Sequence, residues 1–160
     1  MEMGYAAGML NATPNDRSGD GAGVILVAVD GSTTSLHADA WATHLAHARG
    51  SQLLYLFVQT HPAFADAALL TGADIPTDFG ADEQAKAILD EIRADAKAYQ
   101  VHGKFLVRSG DPATEIERAA DEFKVDAVVV GASMQARHRL IGSVARRLVH
   151  AGRWPVTVVP

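Results

Sequence analysis

The chain has 160 residues, of which 48% are hydrophobic and 21% charged, and a formal charge of −5; this is the balance of an ordinary globular protein long enough to bury a sizeable core. It contains no cysteine, which excludes disulfides, thiolate chemistry and sulfur-ligated zinc, and its net negative charge argues against nonspecific binding to nucleic acid. No run of about eighteen apolar residues occurs, and Met1-Glu2-Met3-Gly4 lacks the basic start and apolar stretch of a signal peptide, so the expectation is a cytoplasmic protein without membrane insertion.

Residues 1–22 mix Gly, Asn, Pro, Asp and Ser without a sustained period of 2 or 3.6, the composition of a mobile tail. That leaves residues 23–160 as a single domain. Val24 to Val29 is an apolar run of strand length, and Asp30-Gly31-Ser32 leads into a predicted helix from about Thr33 to Arg49 that stops at Gly50. Leu53 to Val58 is a second strand run. A helix is predicted from Asp82 to about Tyr99, with Ala85, Ile88, Leu89, Ile92 and Ala96 on one face, and a shorter strand from Phe105 to Val107. Asp111-Pro112 supplies an N-cap and a proline at the first helical position, followed by the stripe Ile116, Ala119, Ala120 and Phe123. A fourth strand runs from Ala127 to Val130. A helix opening at Gly142-Ser143 is expected to bury Val144, Leu148, Ala145 and Val149, and Val156 to Val159 forms a fifth strand. Five apolar strands separated by amphipathic helices predict an α/β fold, an open parallel sheet with helices on both faces. In such sheets ligands bind beyond the carboxyl ends of the strands, where strand order reverses.

Charge is unevenly spread along this series. Residues 131–160 hold five arginines and no carboxylate, so residues 1–130 carry −10. The basic part includes the loop between the fourth strand and the Gly142 helix, with Arg137, His138 and Arg139. A helix start offers unpaired backbone N–H groups and a partial positive charge, and an anion placed there accepts hydrogen bonds the helix cannot use. Gly142 allows close approach, and Ser143 adds a hydroxyl that either caps the helix or binds the anion. The same features also suit a plain loop-to-helix junction with a solvated arginine face.

The residues Val27-Ala28-Val29-Asp30-Gly31-Ser32, then Ser35, Ala38, Ala42, Leu45, Ala46 and Gly50, the Gly110-Asp111-Pro112 turn, Val130-Gly131-Ala132-Ser133, and Gly142-Ser143-Val144 through Trp154-Pro155-Val156-Thr157-Val158-Val159 resemble the universal stress protein family, in unbroken order over about residues 23–160. The resemblance implies a five-stranded sheet of order 3-2-1-4-5, of the adenine nucleotide alpha hydrolase-like kind. It also implies a homodimer, often formed by pairing of the last strands, and a cytoplasmic role in stress or dormancy. One branch of the family binds ATP and another does not. The ATP-binding branch has Gly-x2-Gly-x9-Gly-(Ser/Thr) after the fourth strand. Here Gly131 and Gly142-Ser143 match its ends, Met134 replaces the middle glycine, and the interval is two residues shorter. Methionine makes positive φ costly, while Arg137 and Arg139 can offset lost amides with charge-assisted hydrogen bonds.

Carried over by position, Asp30 corresponds to the acidic residue beside the nucleoside and Val58 to the second-strand residue whose backbone reads adenine. Val130 and Gly131 would line the purine and ribose, and Gly142, Ser143 and Val144 would present donors to the phosphates. Ser133, Arg137 and Arg139 complete the candidate set from the loop, and Mg would accompany ATP. Each position has a plainer reading: Asp30 suits a turn into the first helix, and Val58 and Val130 are core strand residues.

His37, His44 and His47 lie close enough along the first helix for two imidazoles to share a face, but no carboxylate completes a ligand set, so no metal site is assigned. Their interleaving with Trp41, Leu45 and Ala48 reads as the polar side of an amphipathic helix. Gly-x-Ser-x-Gly is absent, and no catalytic nucleophile with a paired base can be argued from spacing; any ATP hydrolysis would rest on positioning and be slow. The segment from Thr60 to Gly80 is long for a connection; Ala63 to Leu70 suggests a short helix, and the segment suits either packing or a lid. Two functions remain open: a regulatory protein whose ligand is ATP or another adenine nucleotide, and a nucleotide-independent dimeric module that docks a partner protein.

Overall fold

The computed structural model describes residues 23–60, 81–132 and 142–160. The expected tail, the expected short helix at Ala63–Leu70 and the loop carrying Ser133, Met134, Arg137, His138 and Arg139 lie outside the described residues. Strand β1 (Val24–Val29) leads into helix α1 (Thr33–Arg49), which begins where the Ser32 hydroxyl accepts a hydrogen bond from the Ser35 N–H and ends at Gly50 in the left-handed region. That serine satisfies one of the donors a helix start leaves over, and glycine takes positive φ without a Cβ penalty. Next come β2 (Gln52–Gln59), α2 (Ala81–Ala98) and β3 (Gly103–Ser109). Helix α3 (Pro112–Glu122) is capped by the Asp111 carboxylate, which accepts from the Thr114 N–H. The remaining elements are β4 (Ala127–Gly131), α4 (Ser143–Ala151) and β5 (Val156–Val159).

The strands form one parallel sheet in the order β3-β2-β1-β4-β5, the order the family resemblance implied. Leu26 of β1 pairs with Leu54 of β2 on one side and Val128 of β4 on the other. Because successive strand side chains point to opposite faces, this register sorts the apolar residues into two cores. Ile25, Val27, Leu53, Tyr55, Phe57 and Val129 pack under Ala38, Ala42 and Ala46 of α1 and Ile88 and Ile92 of α2. On the other face Leu26, Leu54, Leu56, Val128 and Val130 pack under Ile116, Ala119 and Ala120 of α3 and Ala145 and Leu148 of α4. Burial on both faces is why the inner strands read as continuous apolar runs instead of alternating ones.

Several expectations change in detail. β3 extends two residues beyond Phe105–Val107 at each end, through Gly103, Lys104, Arg108 and Ser109; a sheet-edge strand tolerates polar, half-exposed residues that hydropathy cannot flag as strand. Phe123 caps the end of α3 and packs, partly buried, against its core. Val149 is 49% exposed, because Ala145 and Leu148, four and one residues before it, hold the inward line of α4. The outer face of α1 is not simply polar either: Trp41 is exposed there beside His37 and His44. Two of the imidazoles, His44 and His47, converge on Tyr99, while His37 has a different partner. His37 Nδ1 lies 3.1 Å from the Pro160 carbonyl, His47 Nδ1 lies 2.9 Å from the Tyr99 carbonyl, and His44 meets the Tyr99 ring edge-on at 4.5 Å.

Candidate functional site

At the carboxyl ends of β1, β2 and β4 the structure opens into a cleft of about 590 Å³, within the range of small-ligand pockets. It lies where strand order reverses: β1 leads on to β2 on one side and has β4 as its other neighbour. Asp30 from β1, Val58 from β2, Val130 and Gly131 from β4, and Gly142, Ser143 and Val144 from the start of α4 all line this one cleft. Seven of the ten candidate residues are thereby brought together. The other three, Ser133, Arg137 and Arg139, lie outside the described residues.

The floor is set by a close approach between β4 and α1. A Cβ added at Gly131 would meet the Thr34 carbonyl carbon at 2.6 Å, its oxygen at 2.7 Å and the Ser35 nitrogen at 2.8 Å. All three are backbone atoms, so only glycine fits there without moving the strand or the helix. That contact brings the hydroxyl-rich first turn of α1 to the cleft, where Ser32, Thr34 and Ser35 join the lining.

These hydroxyls are knitted together around Asp30. The Ser32 N–H donates to Asp30 Oδ1 at 2.9 Å, the Ser35 hydroxyl donates to the Ser32 carbonyl at 2.9 Å, and the Asp30 N–H donates to Ser35 Oγ at 3.3 Å. Burial alone would raise the Asp30 carboxyl, but the hydrogen bonds from Ser32 and Ser35 outweigh it and hold the group below its ordinary value. At neutral pH Asp30 is therefore an anion with acceptor capacity directed to the cleft rim. It suits neutral hydroxyl donors and would repel a phosphate placed beside it.

The opposite wall has the opposite character. Helix α4 starts at Gly142 (φ −59°, ψ 162°), and among the described residues no side chain caps it. By contrast, α1 is capped by Ser32 and α3 by Asp111. The first N–H groups of α4 thus face the cleft without a side-chain acceptor from their own cap, and they lie at the positive end of the helix dipole. Asp111 is diverted elsewhere: it accepts from the Thr114 N–H and hydroxyl at 3.0 and 2.7 Å and from Arg147 at 2.6 Å. Arg147 belongs to α4, so this ion pair fixes the uncapped helix start relative to α3. Thr114, and to a lesser extent Arg147, hold the Asp111 carboxyl below its usual range.

One rim therefore offers hydrogen-bond acceptors and the other offers donors, with apolar Val58, Val130 and Leu56 between. Sequence reasoning had selected both rims. It did not assign Ser32, Thr34 and Ser35 to the site, although a run of hydroxyl residues directly after a strand-end aspartate was the available signal. Pro112 also lines the cleft; it was assigned only to the helix start.

A profile of the Universal stress protein family matches residues 22–160. Universal stress protein YxiE of Bacillus subtilis (strain 168) is 27% identical over 143 residues, covering 84% of this chain and 97% of that protein. Among solved structures, a universal stress protein in complex with cAMP is 26% identical, with a TM-score of 0.66, covering 86% of this chain and 97% of its own. The universal stress protein from Archaeoglobus fulgidus in complex with dAMP is 25% identical, with a TM-score of 0.58, covering 87% of this chain and 98% of its own. With its strand order, its cleft at the reversal point and this match over most of its length, the chain belongs to the Universal stress protein family.

Proposed function

We propose that the cleft binds an adenine nucleotide, ATP or another, as a regulatory ligand in the cytoplasm. The observation that carries this reading is the uncapped start of α4 lying across one cleft from the anionic Asp30. A nucleotide has the matching polarity, with hydroxyls on its sugar and negative charge on its phosphates. In this arrangement Asp30 accepts from the ribose, Val58 and Val130 flank the purine with Gly131 beneath, and Gly142, Ser143 and Val144 donate to phosphate. Ser133, Arg137 and Arg139 add donors from the loop, and Mg accompanies ATP. The cAMP and dAMP held by the two similar structures support the choice of an adenine nucleotide. β5 has β4 as its only neighbour in the sheet of described residues, so its outer edge is open to pair with a second copy in a homodimer.

Titration calorimetry of the full chain with ATP, AMP and cAMP tests the reading. Saturable one-to-one binding of at least one is expected, weakened roughly tenfold or more in Asp30→Ala by loss of hydrogen bonds to a charged group. No heat at millimolar concentrations of any of the three would overturn it. A second reading, a nucleotide-independent dimer that docks a partner protein, draws on Met134 and the shortened loop in the sequence. It requires that Arg137→Ala and Arg139→Ala weaken capture of that partner.

A further inference from the structure

Away from the cleft, the outward side of α1 carries an aromatic and imidazole stripe. Trp41 is 40% exposed, and Tyr99, just past the end of α2, is 38% exposed. His44 joins them: it follows Trp41 by about one helical turn and meets the Tyr99 ring edge-on at 4.5 Å. Ala40 and Ala48 are exposed beside the stripe and too small to screen it. The one carboxylate of α1, Asp39, is buried, so the exposed residues of this helix are neutral or basic, ending in His47, Ala48 and Arg49.

The chain enters the sheet close to the end of that helix. The Gly23 carbonyl accepts from the Gln52 N–H at 2.9 Å, and Gln52 follows shortly after Arg49, the last residue of α1. Residues 1–22 divide in two by composition. Residues 1–10 hold Met1, Met3, Tyr5, Met9 and Leu10, with Glu2 as their one charged side chain, whereas residues 11–22 hold no large apolar side chain. Three of the chain's four methionines fall in the first group, and thioether side chains fit irregular surfaces and make favourable contacts with aromatic rings. A tether of residues 11–22 spans roughly 20 Å on average, and Trp41 lies about 12 Å along α1 from Arg49. Span and tether match, the condition under which a linked segment docks most strongly. We propose that residues 1–10 dock on the Trp41–His44–Tyr99 stripe of the same chain, with residues 11–22 as the tether. The methionines and Leu10 cover the rings, and Glu2 meets imidazoles and Arg49 with no exposed carboxylate on the helix to repel it.

The chain has no cysteine, so a pair introduced into the full chain reports proximity directly. Ala48 and Ala151 are both exposed and lie in the last turns of α1 and α4, on opposite faces of the sheet. Ala7→Cys combined with Ala48→Cys should form an intrachain disulfide in air at least about tenfold faster than Ala7→Cys combined with Ala151→Cys, a control on the same tether. Equal rates would overturn the proposal. So would a disulfide of the first pair that forms only between two chains, because the occupant would then be a second copy. A further measurement needs no cysteine. Trp154 is the only other tryptophan and packs, partly buried, against the core on the far face. Met9→Ser with Leu10→Ser should therefore raise acrylamide quenching of the tryptophan emission by uncovering Trp41, and unchanged quenching would overturn the docking.

Discussion

A methyl group at Gly131 cannot be absorbed by turning a neighbour's side chain, because the atoms it would strike belong to the main chain of Thr34 and Ser35. Either β4 withdraws from α1 or the helix start shifts, and both disturb the same cleft. Gly131→Ala is therefore expected to cost about 1–3 kcal/mol, the usual range for overpacking, and to abolish the proposed nucleotide binding together with it. Urea denaturation and calorimetry on the same preparation check this. Full stability with normal binding would mean that the two backbones are not in contact. Gly131 was legible in the sequence as a strand-end glycine, but its reason was not, because the clash partner lies in a helix almost a hundred residues earlier. Asp39 was legible only as one more polar residue in a helix. Its burial, beside Thr43 and the Tyr55 side chain of β2, comes from tertiary packing that no local pattern encodes.

At the scale of elements, α3 and α4 are joined at their starts by one carboxylate with two tasks. Asp111 caps α3 through the Thr114 N–H and pairs with Arg147 of α4. Both members of the ion pair are about half exposed, so the pair itself is worth at most about 1 kcal/mol. The cap is worth about another 1 kcal/mol. Arg147→Ala should thus cost less than about 1 kcal/mol and Asp111→Ala about 1–2 kcal/mol, as read from thermal or urea melts. Equal costs would show that the cap contributes nothing. Most helix boundaries were readable because the residues that set them act locally. Asp111-Pro112, Ser32 and Gly50 are punctuation whose chemistry is local. Strand ends were less readable. The ends of β3 are polar, and what makes them strand is their pairing with β2, Gly103 opposite Leu53 at one end and Ser109 opposite Gln59 at the other. Val149 marks a similar limit: apolar character gave its type, but the phase of α4 against the sheet decided its exposure.

Across the whole molecule, the central strand joins distant parts of the chain. Ile25 of β1 pairs with Leu53 on one side and with Ala127 on the other, so the second partner arrives roughly a hundred residues later. Non-local pairings of this kind form late, because the loop entropy must be met before the contact rewards it. The cleft has one wall on each side of that seam: Asp30 follows β1, while Gly131 and Ser143 follow β4. The nucleotide proposed for this cleft would therefore find no complete seat until the seam has closed. Its stabilisation, about 2.7 kcal/mol at a hundredfold excess over the dissociation constant, should appear in the unfolding rate and leave refolding unchanged, as for any interaction absent from the transition state. Stopped-flow measurements with and without ligand check this, and a ligand-accelerated refolding limb would contradict it. Supply of the small molecule would then govern how long each copy survives, and have no bearing on how quickly a new one is made.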